Sequence, residues 1–259
     1  MAVAAWTSMA AAAPPTTAQA YAVFAMQHAR VNSKARVQGD VGALFDTLEL
    51  NGHVKVSGVA AAPTIDIGRG ARATGGLYCS TVQTHGGDTC QALPNPLIAA
   101  PSIVLVGPAG NANITAAKRT KSSSPLPPNT YGALTLGTAS EVILAGGGYQ
   151  FESIDLASRA KLLCLAACEV VVRGRVSISQ ATQLGAGDGV AATTVTFSIA
   201  AQGETTAFDA RSRAQVRGSV YAPSAAVSVG SSAKVTGSLV GDTVSIGARA
   251  RLDGGTPAP

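Results

Sequence analysis

A chain of 259 residues is long enough for one large core, and its formal charge of +5, from 19 basic and 14 acidic side chains, falls well short of a dedicated nucleic-acid-binding chain. Hydrophobic residues make up 46% but aromatics only 4%, so the interior is expected to be Ala, Val, Ile and Leu in thin stacked layers rather than a sandwich with aromatic fillers. The 29 glycines and 13 prolines announce many turns, and no run approaches the roughly 18 apolar residues of a membrane span.

Residues 1–24 are expected to form a flexible or loosely helical leader. Its Ala-Gln-Ala is similar to the end of a secretory signal, but there is no basic start, and Trp6, Thr7, Ser8 and Pro14-Pro15 break the apolar run.

Residues 25–79 carry three related phrases, SKARVQGDV, GHVKVSGVA and GARATGGLY. Their closing glycines, Gly39, Gly58 and Gly75, are 19 and then 17 residues apart, and a small residue precedes each by four positions: Ala35, Val54 and Ala71.

Residues 80–131 interrupt the pattern. Cys79 and Cys90 flank STVQTHGGDT, a polar stretch that suits a disulfide loop formed in an oxidising compartment. Closing it would contribute about 3 kcal/mol in the chain-entropy model. NANITAAKRTKSSSPLPPNT then reads as an exposed basic loop or hinge. Its sequon, Asn113-Ile114-Thr115, has meaning only in a eukaryotic secretory route.

Residues 132–255 resume the repeat, and 256–259 form a short tail. Triplets alternating apolar and polar begin at Leu134, Ile154, Val176 and Val195. Gly218, Gly237 and Gly254 then repeat the spacing of 19 and 17, with Ala214, Ala233 and Ala250 four positions earlier. Cys164 and Cys168 lie in apolar LLCLAACEVVV, where buried free thiols are as reasonable as a bridge. Neither cysteine spacing is C-x-x-C and no histidine is near the second pair, which argues against a metal site.

Short strands at a constant period, with Gly and Ser at corners and no helical pattern between them, describe an all-β parallel β-helix or β-solenoid with coils of about 17–20 residues, of the right-handed type. Inward Val, Ile and Leu of successive coils stack on one another, and a single coil cannot bury its own inner face. Nine or ten coils at about 4.8 Å each would give a rod of roughly 45 Å.

LPPNTYGALTLGTASEVILAGGGYQFESIDLASRAKLL, with VRGSVYAPSAAVSVGSSAKVTGSLVGDTVSIGARARLDGG, resembles an uncharacterised β-helical domain family of bacterial cell-surface and type IV pilus-associated proteins. The matching positions are Pro128 to Tyr131, Tyr221-Ala222-Pro223 through Gly230, and Gly237 to Ile246; YAVFAMQHARVNSKARVQGDVG resembles a first coil of the same proteins. A more distant resemblance is to the bactofilins, polymer-forming β-helical proteins. These resemblances imply a structural or adhesive role outside the cell, or a filament grown by end-to-end stacking, with no catalytic motif. The cysteines do not suit a cytoplasmic bactofilin, and a pilin-like apolar N-terminal helix is lacking.

The outward residues of the strand triplets are Arg30, Glu49 and Asp66, then Thr135, Asp155, Ser177 and Thr196, then Asp209, Ser228 and Ser245. Glu49 and Asp66 on neighbouring coils would be spaced for a paired-carboxylate polysaccharide lyase or hydrolase. With no further cluster in support, an exposed charge ladder offset by Arg30 is the simpler expectation. The mixed list lacks the Thr array of an ice-binding face.

After the small residue of each phrase stands a cation: Arg36, Lys55 and Arg72, then Lys161, then Lys234 and Arg251, with Gln215 the exception. A stripe of this kind is expected either to discourage wrong lateral pairing or to bind an acidic surface polysaccharide or extracellular DNA. His28, His53 and His85 are isolated, and Gly146 to Gly148 reads as a corner rather than a phosphate loop. The expectation is a non-enzymatic extracellular or cell-surface structural protein without cofactor or metal. It would self-assemble through an open last coil at Val244, Ile246 and Leu252.

Overall fold

The computed structural model describes residues 18–84, 89–92, 110, 112–201 and 206–254. Parallel strands wind into a β-solenoid of about ten turns, and the only helical pieces among the described residues are two three-residue 3-10 turns. Each turn contributes to three faces. In the turn formed by Thr47–Leu50, Lys55–Val56 and Val59–Ala61, these strands lie on faces A, B and C in that order.

Inward positions stack as columns. On face A one column runs Leu134, Ile154, Val176, Phe208, Val227, Val244, Ala29, Leu48, Ile65 and Val82, each paired in register with the next. Burying one large apolar side chain in such a column stabilises the fold by about 1.5–3 kcal/mol. The aliphatic core expected from composition is supplemented by Phe151, Phe197 and Phe208, all fully buried. Tyr131 and Tyr149 stack on Phe151, with ring centroids 5.5 and 6.2 Å away.

The corner from face A to face B has one geometry throughout. Lys34, His53, Arg119, Ala139, Arg159, Ala181, Arg213, Ser232 and Arg249 all occupy the left-handed region, with φ between 57° and 63°, and Gly70 takes the same place in its turn. The next residue points inward, where only a small side chain fits; Ala35, Ala160, Ala214, Ala233 and Ala250 are each buried.

The order of turns in space differs from the order in the chain. Strand Val23–Val31 lies directly on Leu239–Ile246, and Arg36–Gln38 lies on Arg251–Asp253. The N-terminal turns therefore continue upward from the C-terminal turn, and both chain segments meet in the middle of the rod. On face A the ladder begins at Ile114–Ala116, rises to Leu239–Ile246, passes to Val23–Val31 and ends at Thr81–Thr84. Thr81–Thr84 and Ile114–Ala116, inside the segment expected to be irregular, thus form the two outermost strands of this face.

Two expectations are corrected. Val244, Ile246 and Leu252 are not an open end: they are 0–1% exposed, and Ala29, Val31 and Val37 pair with them from the turn above. A repeat specifies that coils stack but not which coil follows which. Second, Val195 does not open a coil. The turn beginning at Val176 is lengthened by residues 187–194, so Val195–Ile199 falls on face C and Phe208 is the successor of Val176 on face A.

Both cysteine pairs are bridged, Cys79 to Cys90 as expected and Cys164 to Cys168 where the sequence left the state open. The first holds Gln91 against Tyr78 at the upper end. On the outer side of face C, Tyr21, Phe24, Val59, Ala61, Tyr78, Tyr221 and Val240 form a second apolar cluster. Gly42 is its seat, since a Cβ there would lie 2.8 Å from a ring carbon of Tyr21.

A basic edge as the candidate functional site

The order of turns acts directly on the basic residues. On face B, Lys234 pairs with Arg251, Arg251 with Arg36, Arg36 with Lys55 and Lys55 with Arg72. Two sets of cations far apart in the sequence therefore join into one run of five successive rungs, about 19 Å long at the spacing of paired strands. All five side chains are exposed. Below Lys234 the column continues as Gln215, Gln183, Lys161 and Glu141, so Lys161 lies apart from the run and Gln183 joins Gln215 as an uncharged rung.

A second column, not anticipated, runs beside the first. The left-handed corner places Arg213, Ser232, Arg249, Lys34 and His53 in succession at the border of face B, each exposed, so three cations share this column, with the uncharged Ser232 between Arg213 and Arg249. The signal was present as the residue just before the small Ala in RSRA, GARA and NSKA. It was hidden because a corner residue looks like loop.

Among the described residues, the only carboxylate within ion-pair distance of these cations is Asp253, 3.8 Å from Lys234. At the lower end a groove of about 150 Å³ opens beneath residues 187–188, lined by Lys161, Gln183, Gln215, Asp188 and Arg217. Arg217 faces Asp188 there at 3.7 Å.

On face A the outward column is Thr115, Thr135, Asp155, Ser177, Asp209, Ser228, Ser245, Arg30, Glu49, Asp66 and Gln83. Thr196 is not part of it, being next to Glu169 and Ser219 on face C. Arg30 grips Glu49 with two hydrogen bonds, from Nε at 2.6 Å and Nη2 at 3.1 Å, and His28 lies 3.4 Å away. The hydrogen bonds from Arg30 hold the Glu49 carboxyl below the usual carboxylate range. Glu49 is thereby committed to an ion pair as a carboxylate, a poor arrangement for a proton donor beside Asp66. Among the described residues no three His, Cys, Asp or Glu side chains gather as a metal-binding group.

Fold and surface together define a disulfide-tied parallel β-solenoid with one strongly cationic edge. Residues 114–254, more than half of the chain, match the family described as a domain of unknown function, DUF7305, and the chain belongs to that family. The match begins at the lowest strand of face A and ends at Gly254, where the C-terminal turn meets the N-terminal one. No curated protein and no solved structure matches the chain.

Proposed function

We propose that the protein is an extracellular or cell-surface scaffold that holds an acidic polymer along its basic edge. The observation that carries this is the unbroken run Lys234, Arg251, Arg36, Lys55 and Arg72, flanked by Arg213, Arg249 and Lys34. Stacked like charges repel, and at moderate salt a partner of opposite sign with matching repeat relieves that cost. The choice of corner residue supports the same reading. Glycine adopts the left-handed conformation without the Cβ penalty, yet five of the nine non-glycine corner residues are Arg or Lys.

The disulfides fit an oxidising compartment. Among the described residues no helix is long and apolar enough to cross a membrane. A pilus or a larger surface fibre, as the sequence resemblance implies, would be the body that carries the scaffold.

A polyuronate is the better match than a nucleic acid. One carboxylate per pyranose ring repeats at close to the height of one rung, about 4.8 Å, whereas the phosphates of duplex DNA advance only about 3.4 Å each along the helix axis and wind around it rather than following a straight edge. The test is binding to immobilised alginate across a salt series, with the protein intact. Lys55→Glu with Lys234→Glu is expected to lower affinity roughly tenfold or more, about 1.4 kcal/mol. Arg173→Glu with Arg175→Glu, the same charge change at the corner between strand Cys168–Val172 of face C and strand Val176–Ile178 of face A, should leave it nearly unchanged. Equal losses from both pairs would mean that net charge alone is being read, and the proposal would be dropped.

A further inference from the structure

We propose that the seam in the middle of the rod is an exchangeable joint, through which the N-terminal turns of one copy dock on the C-terminal turn of another. The seam is built of the same interactions as any other pair of turns. Val23–Val31 pairs with Leu239–Ile246 through two in-register stretches separated by a bulge between Ala25 and His28, and Arg36–Gln38 lies in register on Arg251–Asp253. The backbone N–H groups of Asn32, Arg36, Arg249 and Gly254 donate across it to Ile246, Ala250, Ser33 and Gln38. The Asn32 side-chain amide donates to Ile246 as well, at 2.9 Å. Beneath these bonds Ala29 and Val31 cover Val244 and Ile246, and Val37 covers Leu252.

Nothing in that set of contacts requires both halves to belong to one chain. The described residues from 18 to 91 lie above the seam and those from 112 to 254 below it, and among the described residues no peptide bond joins the two sides at the seam itself. The connection between them leaves from Gln91, bridged to Tyr78 at the upper end, and arrives near Gly110, which packs against Thr130 at the lower end. When one chain closes its own seam, the 18 residues of 92–109, nearly all outside the described residues, have to reach past the whole rod. The face A ladder has eleven strands, hence ten intervals and about 48 Å. Fully extended, 18 residues reach roughly 60 to 65 Å, and a free coil of that length has a span of about 24 Å.

In the exchanged arrangement the seam is chemically identical, as in any domain swap. The connection then need only join the top of one chain's N-terminal turns to the base of the same chain's C-terminal turns stacked just above. Spanning the rod within one chain costs more chain entropy than joining adjacent blocks, whereas exchange carries the cost of association. Concentration therefore decides between them. The family match ends at Gly254, on the lower side of the joint, as it should if 114–254 is the unit on which another set of turns is laid. The residues first read as an open assembly end, Val244, Ile246 and Leu252, then serve assembly after all, as a covered joint.

Gln38 and Asp253 are register partners across the seam and lie on its outer side. All four native cysteines are in disulfides, so a new thiol is the only one to react. Two single variants, Gln38→Cys and Asp253→Cys, are mixed, unfolded in denaturant without reductant, refolded together over a concentration series and treated with a short bis-maleimide. The expected result is a cross-link joining position 38 of one copy to position 253 of another, in a yield that rises with concentration during refolding. The double variant Gln38→Cys with Asp253→Cys should cross-link within one chain at high dilution. If the mixture yields no intermolecular link at any concentration while the double variant still closes on itself, the joint is strictly internal and the proposal fails. It fails equally if the double variant never cross-links, because the seam would then not be formed.

Discussion

Tyr21 shows how a single residue is fixed by its neighbours. Its ring lies over Gly42 and against Phe24, 5.1 Å between ring centroids, in the apolar strip outside face C. Burial, with the nearby Asp40 charge, pushes its phenol well above the ordinary tyrosine range, and burial pushes Tyr221 of the same strip up to about 12. An acid whose folded pKa is raised is stabilising in its neutral form. Its contribution is complete below the unfolded pKa and is lost as pH climbs toward the folded one. Stability is therefore expected to hold up to pH 10 and to fall between pH 10 and about 12. Urea midpoints measured across that range check this. Tyr21→Phe with Tyr221→Phe should flatten the alkaline fall. An alkaline slope unchanged by the double substitution would assign it to other groups.

At the level of the element, the upper end is the part most dependent on a covalent tie. Among the described residues Thr81–Thr84 pairs only with Thr64–Ile67, and Gln91 is held to Tyr78 through a bridge beside Cys79. The loop closed by Cys79 and Cys90 spans 11 residues, for which the chain-entropy model gives about 3 kcal/mol. Because the tie lies at an end, its loss should act locally. Cys79→Ala with Cys90→Ala is expected to raise amide exchange at residues 76–84 by roughly a hundredfold, about 2.7 kcal/mol, and to leave residues 227–246 protected. A uniform rise would show that the end and the middle unfold together.

Strand content and register within each block were legible because period-two alternation and the corner residues are local signals. Ala35, Val54 and Ala71 sit where Ala214, Ala233 and Ala250 sit, as the equal spacings require. The meeting of Arg36 with Arg251 was not legible. Apart from Phe151, Phe197 and Phe208, the inward columns are mainly Val, Ile, Leu and Ala, so composition does not tell which coil follows which, and the neighbour of the last coil is decided by tertiary pairing. Thr196 was misplaced for a related reason: residues 187–194 lengthen one turn and carry a strand of the right period to another face.

For the whole molecule, joining the N-terminal turns to the C-terminal turn inside the rod turns two short basic runs into one. Arg251 is where this matters most, with Lys234 on the rung below and Arg36 on the rung above. Replacing it by glutamine removes two like-charge neighbours, each worth a few tenths of a kcal/mol, so Arg251→Gln should stabilise the free protein by about 0.5 kcal/mol at low salt. The gain should vanish near 1 M salt, where screening acts over about 3 Å rather than about 10 Å. The same substitution breaks the ladder at its second rung, where the C-terminal turns meet the N-terminal ones, and should weaken alginate binding. A residue kept for folding alone would move stability and binding in the same direction. Opposite movements, read as a higher urea midpoint and a lower affinity in one variant, are what a site maintained against the stability of its own fold produces. A lower midpoint on Arg251→Gln would mean instead that the stem of Arg251 packs the edge and that its charge is incidental.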